Sequence, residues 1–165
     1  MATEPKKYNL VVTRVFGARI EEVWSAWVDP EYVMQWWGPN DFTSSLAEMD
    51  FREGGVSLVC MRAPKEFGGQ DLYNMWTYRK IVPMQQIEFI QSFADKDGNK
   101  ADPALHGLHP DAPQEVRNLV TFKTLSGGMT EVTVTELNWV LGPIMELSKA
   151  GLEQCLDKMV AIFVK

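Results

Sequence analysis

The chain changes its hydrophobic period twice. Residues 8–16, "YNLVVTRVF", are rich in β-branched and aromatic side chains and predict a strand, which Gly17 breaks. In "ARIEEVWSAWVD", Ile20, Val23, Trp24 and Trp27 recur at the i, i+3, i+4, i+7 spacing of one helical face. Asp29-Pro30 stops that helix and starts another, because Asp caps a helix N-terminus and Pro suits its first turn. "EYVMQWW" makes the second short helix, and Gly38-Pro39 ends it.

From residue 42 the pattern becomes strand-like. "FTSSLAEMDF", "VSLVCMRA", "YNMWTYRKIV", "QQIEFIQSF", "EVRNLVTFKTL" and "MTEVTVTELNW" are six such runs, separated by Gly- and Pro-bearing turns. Runs of strands joined this way predict an antiparallel meander. The one long irregular connection, 96–114, carries three prolines and both histidines. Pro143 then opens a helix of about six turns. Its apolar face is Ile144, Leu147, Gly151, Leu152, Cys155, Leu156, Met159, Val160 and Phe163.

The elements add up to an α+β fold: a seven-stranded antiparallel curved sheet, two short helices after strand 1, and a long C-terminal helix packed across the sheet. The expectation is one domain over 1–165, with its core at about 8–163. A broad sheet face must be covered, and only the last helix is long enough to cover it. Where side chains between sheet and helix are too small, a gap remains that a ligand could occupy.

Composition narrows the function classes. The chain is 45% apolar and 23% charged, as an ordinary globular protein is. Its net charge, 16 − 22 = −6, and the lack of a Lys/Arg stripe argue against nucleic-acid binding by phosphate neutralisation. No apolar run approaches the ~20 residues that span a bilayer, and "MATEPKKYNL" has no apolar signal region. Cys60 and Cys155 lack a spacing motif and read as reduced core thiols. A cytoplasmic location is the expectation.

Four segments carry a family resemblance: "RVFGARIEEVWSAWVDPEYVMQWWGP", "AEMDFREGG", "YRKIVP" and "GLEQCLDKM", in that order. Over about residues 8–163 the chain resembles the activator-of-heat-shock-protein-90-ATPase homologue family, of the START-like, Bet v-like helix-grip (SRPBCC) superfamily. The resemblance implies a ligand-cavity architecture without fixing one activity. The superfamily includes lipid and hormone carriers, polyketide cyclases and aromatases, and co-chaperone domains. Trp76 stands where relatives commonly carry glycine, which implies a smaller or reshaped cavity.

Strand alternation sets the expected inner face. Asn118 shares it with Val116, Val120 and Phe122; Glu136 follows Val132 and Val134 to that face or its rim; Ser57, Val59 and Met61 point inward, and Trp76 and Tyr78 join them. The expected cavity residues are therefore Ser57, Met61, Trp76, Tyr78, Asn118, Phe122 and Glu136, with Leu152 and Cys155 from the last helix and Trp37 at the entrance. Apolar walls with a few polar groups suit a small-molecule site. The plainer alternative is that Asn118 and Tyr78 simply bond to backbone or water. Trp36 is the expected helix anchor and Trp37 the expected ligand contact.

Glu136 at the edge of an apolar cavity would have a raised pKa and could serve as an acid or base, or could simply face solvent. His106 and His109, with Asp102 and Asp111 nearby, have a zinc-like spacing but no ordered scaffold, so no metal is expected. That loop is expected to lie over the cavity mouth or touch a partner. "EFGGQD" lacks the Gly-Lys-Ser/Thr ending of a phosphate loop and reads as a turn. The favoured function is binding of a small apolar or amphipathic molecule, with no cofactor. The second is a protein-interaction module that contacts a chaperone or other protein, and the third a cyclase- or aromatase-type enzyme.

Overall fold

The computed structural model describes residues 6–102 and 112–164. Strand β1 (Tyr8–Phe16) leads into helices α1 (Ile20–Val28) and α2 (Pro30–Trp36). Six strands follow: β2 (Thr43–Glu48), β3 (Val56–Arg62), β4 (Asp71–Val82), β5 (Gln86–Ala94), β6 (Glu115–Leu125) and β7 (Met129–Trp139). Helix α3 (Pro143–Ile162) closes the order. The expected elements are all present. A single antiparallel sheet holds all seven strands in the order β1-β7-β6-β5-β4-β3-β2.

Each element follows from local chemistry. On β1, Leu10, Val12 and Phe16 are buried while Val11 and Val15 are exposed, the alternation of a sheet with one covered face. Arg14 lies in phase with the buried set and reaches α3, where it donates to Asp157 at 2.7 Å and Glu153 at 3.4 Å. Asp29 ends α1 and caps α2, its carboxylate accepting the Glu31 amide at 2.9 Å. The Trp36 indole N–H donates to the Ala26 carbonyl at 2.7 Å, which locks the two short helices together.

Gly38 makes the turn out of α2. Its φ of +109° is open to glycine, and a Cβ there would sit 3.1 Å from Phe42 Cβ and 3.3 Å from Met61 Cβ. That turn is strapped to α3: the Asn40 amide donates to Gln154 Oε1 at 2.9 Å, and Lys158 Nζ donates to the carbonyls of Pro39 and Phe42, both at 3.0 Å. "EFGGQD" lies in the connection that joins β3 to β4 as an antiparallel hairpin, with Arg62 pairing with Asp71 and a 3₁₀ turn over Lys65–Phe67.

Helix α3 is buried unevenly. Its fully buried residues, Cys155, Leu156 and Met159, all lie in its second half. Leu147, expected on the covered face, is 69% exposed. The N-terminal half of α3 therefore stands over a space instead of a packed core.

Candidate functional site

That space is a cavity of about 390 Å³ between the inner face of the sheet and α3. Its apolar end is a cluster of indoles. Trp36 and Trp76 stack at 6.1 Å between ring centroids, Trp37 stands edge-on to Trp76 at 5.1 Å, and Trp27 packs on Trp36 at 4.9 Å. Phe89 backs Trp76 at 5.2 Å. Pairs in these geometries contribute about 0.5–1.5 kcal/mol each beyond the area they bury. Trp76, in the position where a smaller cavity was expected, forms a wall and leaves the space open. The indole nitrogens of Trp27, Trp37 and Trp76 are buried and have no hydrogen-bond partner. Buried donors in a folded protein normally have one.

The polar end is built by an irregularity in β7. Tyr8 pairs with Trp139 but Leu10 pairs with Glu136, so two steps along β1 match three along β7. Asn138, with φ of +65°, absorbs the extra residue. Such a bulge re-aims the side chains that follow it. Regular alternation would put Glu136 and Trp139 on opposite faces; here both are buried, and Trp139 Nε1 donates to Glu136 Oε1 at 3.1 Å. Ser148 Oγ, from α3, donates to the same oxygen at 3.2 Å. No donor among the described residues reaches Oε2.

Asn118 faces Glu136 across the β6–β7 ladder and is 2% exposed. Its amide nitrogen donates to the Val116 carbonyl at 3.2 Å, which leaves its oxygen as an acceptor. Glu136 is 6% exposed, and removal from water pushes its pKa up to about 7; the bonds from Ser148 and Trp139 offset only part of this. Cys155, also in the wall, is pushed up to about 11 by burial and stays a thiol. It is no activated nucleophile.

Of the ten residues expected in the cavity, seven line it: Trp37, Met61, Trp76, Asn118, Glu136, Leu152 and Cys155. Ser57, Tyr78 and Phe122 do not. The Ser57 and Tyr78 hydroxyls lie 2.8 Å apart and satisfy each other, and Phe122 packs on Trp24 with centroids 4.9 Å apart. All three are on the inner face but beyond the cavity's end, where side chains from α1 and residues 49–51 fill the space. Alternation identifies a face, not a position along it.

Asn74, Ser148 and Trp139 also line the cavity. Asn74 is in phase with Trp76 and Tyr78, and Ser148 is one turn from Leu152, so periodicity could have found both. Trp139 depends on the bulge, which no pattern in the strand announces. His106, His109 and Asp111 lie outside the described residues. Among the described residues no group of three or more potential ligands could hold a metal ion. No helix among them is long and apolar enough to cross a membrane.

A curved antiparallel sheet closed by one long helix over an internal cavity defines a helix-grip domain. The family model described as "Activator of Hsp90 ATPase homolog 1-like protein" matches residues 17–164, and the chain belongs to that family. Among curated proteins none matches it. A Chromobacterium violaceum protein of known structure is 22% identical with a TM-score of 0.74, covering 94% of this chain and 96% of its own. A Staphylococcus epidermidis protein is 22% identical with a TM-score of 0.74, covering 99% and 93%. The AHSA1 protein from Silicibacter pomeroyi is 18% identical at 0.69, covering 94% and 96%. At these identities the likeness establishes the fold alone.

Proposed function

We propose that this domain is a cytoplasmic binder of a small apolar or amphipathic molecule, held between the sheet and α3. The observation that carries it is the open cavity with aromatic walls at one end and incompletely bonded Asn118 and Glu136 at the other. Its volume of about 390 Å³ lies in the lower part of the range of small-molecule sites. Apolar walls supply affinity, and the few polar atoms fix orientation. The unpartnered indole donors of Trp37 and Trp76 favour the same conclusion, since a buried donor without an acceptor costs about 1–3 kcal/mol.

The test is a melting-temperature screen with lipids, steroids, flavonoids and polyketides, paired with native mass spectrometry of the gently purified protein. A bound ligand raises the melting temperature with concentration as RT ln(1 + [L]/Kd). Absence of any shift and of any retained mass would refute ligand binding. The second reading, a protein-interaction module that contacts a chaperone, is favoured by the family the chain belongs to. It predicts partner capture through an exposed face, unaffected by Trp37→Ala.

A further inference from the structure

The polar end of the cavity has a chemical bias, and it names a class of ligand. Glu136 is the one formally charged side chain in the cavity wall among the described residues; no Lys, Arg or His lines it. The donors at that end are largely engaged. Ser148 and Trp139 both give their protons to Glu136 Oε1, and Asn118 gives one of its two amide protons to the Val116 carbonyl. What remains, beside one Asn118 amide proton, are two acceptors, Glu136 Oε2 and Asn118 Oδ1, from facing positions on neighbouring strands. A ligand head that carries donors and positive charge completes this set; a carboxylate or phosphate head would meet a buried like charge. The opposite end is aromatic, and aliphatic side chains such as Met61, Leu72, Val134 and Leu152 extend the apolar wall, which suits the body of an amphipathic molecule.

Resting on the ligand-binding reading above, we infer that the cavity selects an organic ammonium: an amphipathic amine whose cationic head pairs with Glu136 and whose apolar body lies against Trp37, Trp76 and Phe89. The surroundings of Glu136 support a charge pair made by the ligand. From β1 the facing residue is Leu10, from β6 Asn118, from β7 Trp139, and from α3 Ser148 and the Cys155 thiol. None of these is cationic, and burial alone drives the Glu136 pKa to about 7. An ammonium would supply the missing countercharge and favour the ionised carboxylate. Amine affinity should therefore fall as pH drops below about 7, where the carboxyl takes up its proton.

Isothermal titration calorimetry with three probes on one skeleton tests this: naphthylmethylamine, naphthylmethanol and naphthoate, with wild type and Glu136→Gln. At about pH 8 the wild type should bind the amine at least about tenfold tighter than the alcohol, as a buried charge-assisted bond gives. Naphthoate should bind weakest. Glu136→Gln keeps the shape of the wall, so it should bind amine and alcohol within about threefold of each other. Equal binding of amine and alcohol by the wild type overturns the inference, as does an amine preference that survives in Glu136→Gln. Either result leaves ligand binding standing. So does a broad screen whose hits are all neutral or acidic, which overturns the amine class alone. If neither the three probes nor any member of that screen binds, the ligand-binding reading fails and takes the inference with it.

Discussion

The inner face of the sheet carries two buried polar groups of opposite character. Ser57 and Tyr78 form a closed pair: their hydroxyls are 2.8 Å apart, the Asp50 amide donates to Ser57 Oγ at 3.1 Å, and Phe51 and Phe89 pack against the Tyr78 ring. Burial pushes the Tyr78 pKa up to about 12, so the phenol stays neutral. Asn118 and Glu136 form an open pair, with acceptor oxygens left over beside a cavity. The two pairs share a sheet and a face. They differ in what lies above them. Aromatic residues of α1 and residues 49–51 cap the first, whereas the half-buried N-terminal half of α3 reaches the second through Ser148 and leaves a cavity beside it. A buried polar group on this fold is structural where the cover is complete and available to a ligand where the cover lifts.

The largest effect that can break this distinction is at the tryptophan pair. Both rings line the cavity, but Trp36 is 1% exposed, stacks on Trp76 and gives its N–H to Ala26, whereas the Trp37 N–H is unpartnered. Trp36→Ala should cost about 3–5 kcal/mol in chemical denaturation. Trp37→Ala enlarges an existing space and should cost roughly 1–2 kcal/mol while abolishing ligand-induced stabilisation. Equal stability losses with unchanged binding would make both rings plugs and remove the open end as a site.

Next in size is the pH dependence that Glu136 imposes. Its folded pKa of about 7 stands above the ordinary 4.5, so the folded state holds the proton more tightly. Below the ordinary value the proton is on in both states and nothing is lost. As pH rises from there through about 7, stability falls, by up to about 3 kcal/mol, and then levels. Glu136→Gln should flatten that slope and melt higher than the wild type at about pH 8. The same slope in the variant would show that Glu136 is solvated and that the open end is wet. Tyr78, neutral across this window, should contribute no slope at all.

How much of this was legible beforehand depends on what a periodic pattern encodes. The helix faces, the seven strands and the inward positions of Val59, Trp76, Asn118 and Val134 follow from periods of 3.6 and 2. Phase along one strand cannot say which end of a face is capped, so Ser57, Tyr78 and Phe122 read the same as Asn118. Nor can it anticipate the bulge at Asn138, an offset between two strands that moves Trp139 across the sheet to Glu136. Leu147 shows the same limit on α3: its spacing is that of a buried face, yet it stands at the cavity and is 69% exposed.

The smallest effect gives the most discriminating experiment. Tyr78→Phe removes one hydroxyl from the closed pair and keeps the ring against Phe51 and Phe89. Ser57 Oγ goes on accepting from the Asp50 amide, and the loss should be about 1 kcal/mol. Ligand affinity should not move, because the pair lies beyond the end of the cavity. Asn118→Leu is the matched change at the open end. It removes an acceptor oxygen that nothing else satisfies, so ligand affinity should drop several-fold with a stability change of similar size. If Tyr78→Phe weakened binding as much as Asn118→Leu, the cover over Ser57 and Tyr78 would have to open in solution. The two polar groups would then be parts of one larger site, and completeness of cover would no longer separate structure from function.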